Sequence, residues 1–202
     1  MSKTGMTQIE RKAATRRKLL DAATEVLVGE GYTGLTTTRV CRAAGVSQGA
    51  LFKHFPSKGA MVAALAEDLY AGLAEEFKTA FSRAEGDVIH RGIRHLWAVF
   101  SSPRQMASYD LTVAARTDPK LQAALEPIVL KHRERINEMT QTVAALSEMD
   151  TDRFHSLADF VLMAVQGAVI NSLACPEPEV LETRLAYIES TARKLAGEKE
   201  AK

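Results

Sequence analysis

The stretch TTTRVCRAAGVSQGALFKHFPSK, which begins at Thr36, constrains the fold more than any other part of the chain. Thr36 can cap a short helix over 37–44, and Gly45 can end it, since glycine adopts a left-handed conformation without steric cost. Ser47 can cap a second short helix over 48–55, which a proline then ends. Two short helices joined by a tight glycine turn predict a helix-turn-helix.

Such a motif makes separate demands on the two sides of its helices. The inner side needs apolar contacts, and Val40, Cys41 and Ala44 are expected to pack against Leu51 and Phe55. The second helix must enter a major groove, so its outward residues should be small, polar or cationic. Glutamine can read adenine with two hydrogen bonds, and a small residue can contact a thymine methyl. The residues that satisfy these outward demands are Gln48, Gly49, Ala50, Lys53 and His54.

Charge is unevenly distributed along the chain. Residues 1–60 hold ten Lys and Arg against four Asp and Glu, a net charge of +6. The whole chain carries +1, so the remainder carries −5. A basic head on an acidic body favours a polyanionic partner, while a solvated basic surface is the alternative. The residues expected near backbone phosphates, or serving solubility alone, are Arg11, Lys12, Arg16, Arg17 and Lys18.

The rest of the chain also predicts helices, because apolar residues recur at steps of three and four. The first helix should run from about residue 8 and end at Gly29 and Gly31. A long helix should run to about Leu146, with a kink or break at Pro127. The predicted fold class is therefore all-α, with a three-helix DNA-binding domain over 1–56, a long connecting helix over 57–82 and a second helical domain over 86–196.

The segment GLTTTRVCRAAGVSQGALFKHFPSKGAMVAAL closely resembles the N-terminal domain of the TetR family of transcriptional regulators. The family pattern is Thr-x-x-x-Ile-Ala-x-x-Ala-Gly-Val-Ser-x-Gly-x-Leu-Tyr-x-Tyr-Phe-x-Ser-Lys. The resemblance covers roughly the first 85 residues. The residues that match or closely substitute are Thr36, Val40, Ala44, Gly45, Val46, Ser47, Gly49, Leu51, Phe55, Ser57 and Lys58.

The resemblance implies a homodimer that binds an operator in double-stranded DNA, and in which Lys58 contacts a phosphate. Two departures from the pattern affect this surface. Phe52 replaces a tyrosine, which removes a hydroxyl bond to phosphate, and His54 replaces a second aromatic residue but can still donate to phosphate. The residues predicted to contact DNA are Thr36, Thr37, Arg39, Ser47, Gln48, Gly49, Ala50, Phe52, Lys53, His54 and Lys58.

The second domain is expected to hold an apolar or amphipathic small-molecule effector. Aromatic and sulfur side chains cluster near two helix ends, and one histidine interrupts an apolar helix face. Ordinary core packing is the alternative for each of these residues taken singly. The residues predicted to line the pocket are Phe77, Trp97, Phe100, Met106, Tyr109 and His132.

Residues 152–196 are expected to form the homodimer interface as a four-helix bundle of two helices from each protomer. Val165 and Leu185 are expected at that interface. The alternative is that both helices only complete the core of one protomer. Because one helix-turn-helix covers few base pairs, the operator is expected to be an inverted repeat.

The predicted function is a sequence-specific DNA-binding regulator, most simply a repressor released from its operator by an effector. The alternative is an architectural or cell-cycle DNA-binding protein with the same head and no inducer. An enzyme is not favoured, because the sequence has no metal-ligand cluster, no phosphate-binding glycine loop and no nucleophile with a credible base. We expect no cofactor, no membrane span and a cytoplasmic location.

Overall fold

A computed structural model of the chain describes residues 7–82, 87–146, 149–173 and 175–197. These residues form α-helices and contain no strand, which confirms the all-α fold class. The helices are α1 (Gln8–Gly34), α2 (Thr37–Ala44), α3 (Gln48–His54), α4 (Lys58–Ser82), α5 (Val88–Phe100), α6 (Pro103–Ala115), α7 (Pro119–Leu146), α8 (Thr151–Ser172) and α9 (Pro178–Ala196).

The first helix is interrupted at Gly31, where the sequence predicted its end, although the bounds of α1 include a short segment beyond it. Regular helical geometry is interrupted at Gly31, whose φ is 66° and ψ is −178°. Glycine tolerates this positive φ because it has no Cβ. A further short helical segment then continues to Gly34, and the Leu35 amide donates to the Tyr32 carbonyl at 3.2 Å.

The chain divides into two compact units. The first combines Met1–Ala71 with Met106–Val129, and the second combines Gly72–Gln105 with Leu130–Lys202. The predicted domain limits, 1–56 and 86–196, remain a prediction. The largest fully buried side chains of the first unit are Leu19, Leu27, Leu35, Leu51, Met61, Leu65, Leu69, Leu111, Val40 and Val62.

In the second unit, α5, α8 and α9 pack around one buried cluster. Its residues are Ile93, Leu96, Leu157, Val165, Ala168, Leu185, Ile188 and Ala192. Polar contacts at the edge of the cluster join α5 to α9. Arg94 donates to both carboxylate oxygens of Glu182, at 2.8 and 2.5 Å, and His90 Nδ1 lies 2.7 Å from a Glu189 oxygen.

Val165 and Leu185 lie inside this cluster, with 0% and 2% of their surfaces exposed. Their expected place at the dimer interface was therefore wrong. Both helices also carry apolar residues outside this cluster, among them Met163 on α8 and Tyr187 on α9. The repeat of apolar residues therefore could not distinguish the side facing the protomer's own core from a side facing a partner.

The long helix α7 continues through Pro127, so of the kink or break expected there the break was wrong, while the kink remains a prediction. Proline removes one amide donor and leaves the carbonyl four residues earlier without its helical partner. That carbonyl belongs to Ala123, and both residues are exposed. Water can therefore solvate the carbonyl, and the helix continues.

Candidate nucleic-acid interface

The helix-turn-helix predicted from the sequence is confirmed in detail. The Thr36 hydroxyl accepts a hydrogen bond from the Arg39 amide at 3.3 Å and so caps α2. Gly45 ends α2 in the left-handed region, with φ 60° and ψ 41°. The Ser47 hydroxyl accepts from the Ala50 amide at 3.2 Å and begins α3. These local bonds fix both ends of the turn.

The inner side of the motif is apolar and buried, as predicted. Val40, Cys41 and Ala44 of α2 are each at most 5% exposed. Leu51 on α3 and Phe55, directly after its end, are 0% and 2% exposed. The buried side therefore leaves the opposite side of α3 as the surface available to a partner.

The eleven residues predicted to contact DNA lie on α2 and α3, at the residues that cap their first turns, and at the first residue of α4. Three of them are half-buried, namely Thr37, Ala50 and His54. The other eight are exposed, namely Thr36, Arg39, Ser47, Gln48, Gly49, Phe52, Lys53 and Lys58. The surface is therefore open, and the part played at DNA by each residue remains a prediction.

Gln48 is held by a residue that the sequence did not indicate. Its amide Nε2 donates to the Thr38 hydroxyl oxygen at 2.8 Å. Thr38 lies on α2, ten residues earlier in the chain. The only signal in the sequence was that Thr38 is the third threonine of a run that begins with the capping Thr36. Whether its hydroxyl meets Gln48 depends on how α2 and α3 pack.

Phe52 exposes 46% of its surface on α3. It lies one helical turn after Gln48, on the same side of the helix. An aromatic ring has no donor for a phosphate, but it can contact the apolar methyl group of thymine. The surface of α3 therefore combines one amide, one aromatic ring and the cation Lys53.

Two arginines of the basic head are engaged by carboxylates. Arg39, predicted to contact DNA, forms an ion pair with Glu30 of α1. Arg17 donates to Asp68 of α4 at 2.5 and 2.9 Å and to Asp21 at 2.8 and 2.5 Å. Hydrogen bonds to Asp68 and then Asp21 raise the pKa of Arg17 further above its usual range. Arg17 thus connects α1 to α4.

His54 is the last residue of α3, and its imidazole lies within the influence of two cations on α1. Its Nδ1 is buried and accepts no hydrogen bond from the described part of the chain. Burial lowers the pKa of His54, and the positive charges of Lys12 and Arg16 lower it further. Arg16 itself lies 5.3 Å above the centroid of the Phe55 ring. Burial and these two cations therefore favour the neutral form of the imidazole.

Lys58, predicted to contact phosphate, is the first residue of α4. Its ammonium nitrogen lies 4.9 Å from the centroid of the Tyr32 ring. The Tyr32 hydroxyl is 3.4 Å from an Asp118 carboxylate oxygen. The other oxygen of Asp118 accepts from the Lys120 and Leu121 amides at 3.1 Å, which caps α7.

The residues predicted to line an effector pocket divide between the two units. Trp97 and Phe100 pack against the buried cluster of the second unit. Met106 and Tyr109, both half-buried, belong to α6 in the first unit. His132 is half-buried on α7, and the side chain of Phe77 lies outside the part that the structure describes. The pocket remains a prediction.

Helices α8 and α9 each expose large apolar side chains. On α8, Met163 and Ile170 are 68% and 45% exposed, and Leu173, directly after its end, is 54% exposed. On α9, Tyr187 is 71% exposed. By length and composition alone, α8 is the one helix of the described chain that could cross a membrane. Its apolar character therefore extends beyond the side that packs in the core.

Comparison with known proteins finds a matching family for the N-terminal part of the chain and another for the rest. Residues 19–65 match the family described as "Bacterial regulatory proteins, tetR family". Residues 82–195 match the family described as "Tetracyclin repressor-like, C-terminal domain". The HTH-type transcriptional regulator CymR of Pseudomonas putida is 30% identical over 204 residues, which cover 100% of this chain and 98% of CymR.

Solved structures share the fold. A transcriptional regulator from Rhodococcus sp. Rha1 superimposes with a TM-score of 0.69 at 20% identity, covering 92% of this chain and 99% of that one. The multidrug binding protein EbrR, solved with imidazole, gives a TM-score of 0.62 at 22% identity and covers 90% and 94%. EbrR has also been solved with proflavin. With the capped helix-turn-helix and the two matched halves, the chain belongs to the TetR family of bacterial transcriptional regulators.

Proposed function

We propose that the protein is a repressor that binds an inverted-repeat operator as a homodimer and is released from it by a small-molecule effector. The observation that carries the DNA-binding part is the outer surface of α3. There Gln48, Phe52 and Lys53 are exposed beside a firmly capped turn. A rigid turn presents these side chains at a fixed angle, which recognition in a major groove requires.

An apolar or amphipathic effector is supported by the second half of the chain. This half matches a domain described as tetracyclin repressor-like, and EbrR, which has the same fold, was solved with imidazole and with proflavin. Trp97 and Phe100 would offer aromatic surface to such a molecule. An effector that binds best to the conformation unable to bind the operator lowers the affinity for the operator. By linkage, the operator must lower the affinity for the effector by the same factor.

The homodimer is supported by the exposed apolar residues of α8 and α9. A helix that packs in its own core on one side and against a partner on another needs apolar residues around most of its circumference. This requirement accounts for the high hydropathy of α8 without a membrane. We therefore propose that Met163 and Tyr187 lie in the interface, in place of Val165 and Leu185.

The test starts from a pool of randomised DNA duplexes, from which the wild-type protein selects its operator. Operator affinity is then measured by fluorescence anisotropy with and without aromatic compounds, beginning with proflavin and imidazole, while Trp97 fluorescence is followed in parallel. An effector should weaken operator binding by about 5- to 150-fold, the usual size of allosteric coupling.

An operator whose affinity no compound changes would favour the architectural alternative. Failure to select any common sequence would contradict specific DNA binding itself. We place the protein in the cytoplasm, where it would reach the chromosome directly.

A further inference from the structure

We propose that Thr38 is a positioning residue for base recognition and that, by holding the amide of Gln48, it selects adenine over guanine at one base pair of the operator. The inference rests on the proposed function, since it requires sequence-specific DNA binding. It begins from the hydrogen bond in which Gln48 Nε2 donates to the Thr38 hydroxyl oxygen at 2.8 Å.

The Thr38 hydroxyl is available for this bond because another threonine caps α2. Thr36 accepts from the Arg39 amide, so the cap does not require Thr38. Gln48 is the first residue of α3, directly after the capping Ser47, and both Gln48 and Thr38 are exposed. The bond therefore joins the two helices on the outer surface, where nothing in the packing of the core requires it.

The bond changes what the amide can recognise. A glutamine side chain carries two N–H donors and one carbonyl acceptor. Once Thr38 takes one N–H, one donor and one acceptor remain. Adenine offers the complementary pair in the major groove, an acceptor at N7 and a donor at N6.

Guanine offers two acceptors instead, at N7 and O6. An unrestrained glutamine can turn its NH₂ group and donate both hydrogens to guanine. The amide held by Thr38 cannot do so without breaking its bond, and in its held orientation its carbonyl would face the O6 acceptor. Thr38 therefore sets the choice between the two purines without contacting either base.

The test uses the whole chain in five forms: wild type, Thr38→Val, Thr38→Ser, Gln48→Ala and the double variant of Thr38→Val with Gln48→Ala. Valine keeps the shape of threonine and replaces the hydroxyl with a methyl group, whereas serine keeps the hydroxyl. Each form selects from randomised duplexes, and the base pair whose preference Gln48→Ala abolishes is taken as the pair that Gln48 reads. Affinities are then measured on duplexes with adenine, guanine or 7-deazaadenine at that position, and circular dichroism checks that each form is folded.

We expect the wild type to prefer adenine over guanine at that pair and to lose affinity for 7-deazaadenine, which lacks the N7 acceptor. Thr38→Val should reduce the ratio of adenine to guanine affinity by about threefold to tenfold, the range of one hydrogen bond. Thr38→Ser should retain the ratio. Adding Thr38→Val to Gln48→Ala should change the ratio no further.

Three outcomes would overturn the inference. Thr38→Val could leave the ratio unchanged, or weaken binding to every sequence equally, as loss of a phosphate contact would. Gln48→Ala could also alter no base preference, which would remove Gln48 from base reading. In all three cases the wild type still selects a common sequence. A wild type that selects no sequence would instead contradict the proposed function, so the two failures are distinguishable.

Discussion

The ammonium group of Lys58 lies 4.9 Å from the centroid of the Tyr32 ring. Lys58 begins α4 and Tyr32 belongs to the last turns of α1, so the contact spans two helices. The Tyr32 hydroxyl reaches Asp118, which caps α7. The position of the predicted phosphate-contacting cation is thus set by an aromatic ring that is itself held by a carboxylate.

Removing the ring should weaken DNA binding. Tyr32→Leu should lower affinity for any duplex by about two- to fivefold, since an exposed cation–π contact contributes about 0.5–1 kcal/mol. Tyr32→Phe keeps the ring and is the matched control, with affinity near that of the wild type. Fluorescence anisotropy on one specific and one unrelated duplex measures both. Equal losses for the two variants would assign the effect to the hydroxyl instead.

Lys58→Ala should make DNA binding less sensitive to salt. Each phosphate contact contributes about 0.9 to the slope of log affinity against log salt, so a dimer that loses two contacts should show a slope flatter by roughly 1.8. The loss should be similar for all sequences. Lys131→Ala, an exposed lysine on α7, is the control. An unchanged slope in Lys58→Ala would exclude a phosphate contact.

Arg17→Gln should affect stability more than DNA binding, because Arg17 is engaged by Asp68 and Asp21. The contacts are about half exposed, so we expect a loss of about 1 kcal/mol in the free energy of unfolding. The salt slope of DNA binding should remain that of the wild type. Urea unfolding of Arg17→Gln, Asp68→Asn and the double variant measures the coupling. Additive losses would show that the pair contributes nothing.

Protonation of His54 should destabilise the fold. Its pKa is lowered by burial and then by Lys12 and Arg16 from the ordinary value of 6.5. As the pH falls below 6.5, the unfolded chain therefore binds more protons than the folded one. The stability that the folded protein has with a neutral His54 is fully present above pH 6.5 and is lost as the pH falls through the lowered pKa of the folded state. The slope from one proton is at most about 1.4 kcal/mol per pH unit.

His54→Phe removes the titrating group and should flatten the dependence of unfolding free energy on pH below 6.5. The measurement is urea unfolding at a series of pH values between 5 and 8. Identical profiles for the variant and the wild type would show that His54 titrates normally.

Met163→Glu combined with Tyr187→Glu should split the dimer, since an interface would bury both charges without partners. Sedimentation should show a folded monomer whose operator affinity has dropped more than tenfold, because specificity needs two heads. Val113→Glu, at another exposed apolar residue, is the control and should stay dimeric. Val165→Glu should instead unfold the protomer. A double variant that still sediments as a dimer would place the interface elsewhere.

Local chemistry determined the helix-turn-helix. The hydroxyls of Thr36 and Ser47 each accept from an amide only three residues further along the chain, and Gly45 supplies a conformation that other residues adopt at a cost. Such interactions are complete within a few residues of sequence. The ends of α2 and α3, and the burial of Val40 and Leu51, could therefore be predicted.

Only the tertiary structure decided which polar groups meet. Arg17 pairs with Asp68 across 51 residues and Tyr32 with Asp118 across 86, and the packing of α2 on α3 brings Thr38 to Gln48. Packing likewise assigned Val165 to the core while leaving Met163 exposed. Apolar periodicity shows that a helix has a buried side, but the side a helix presents to its own core depends on neighbours distant in the chain.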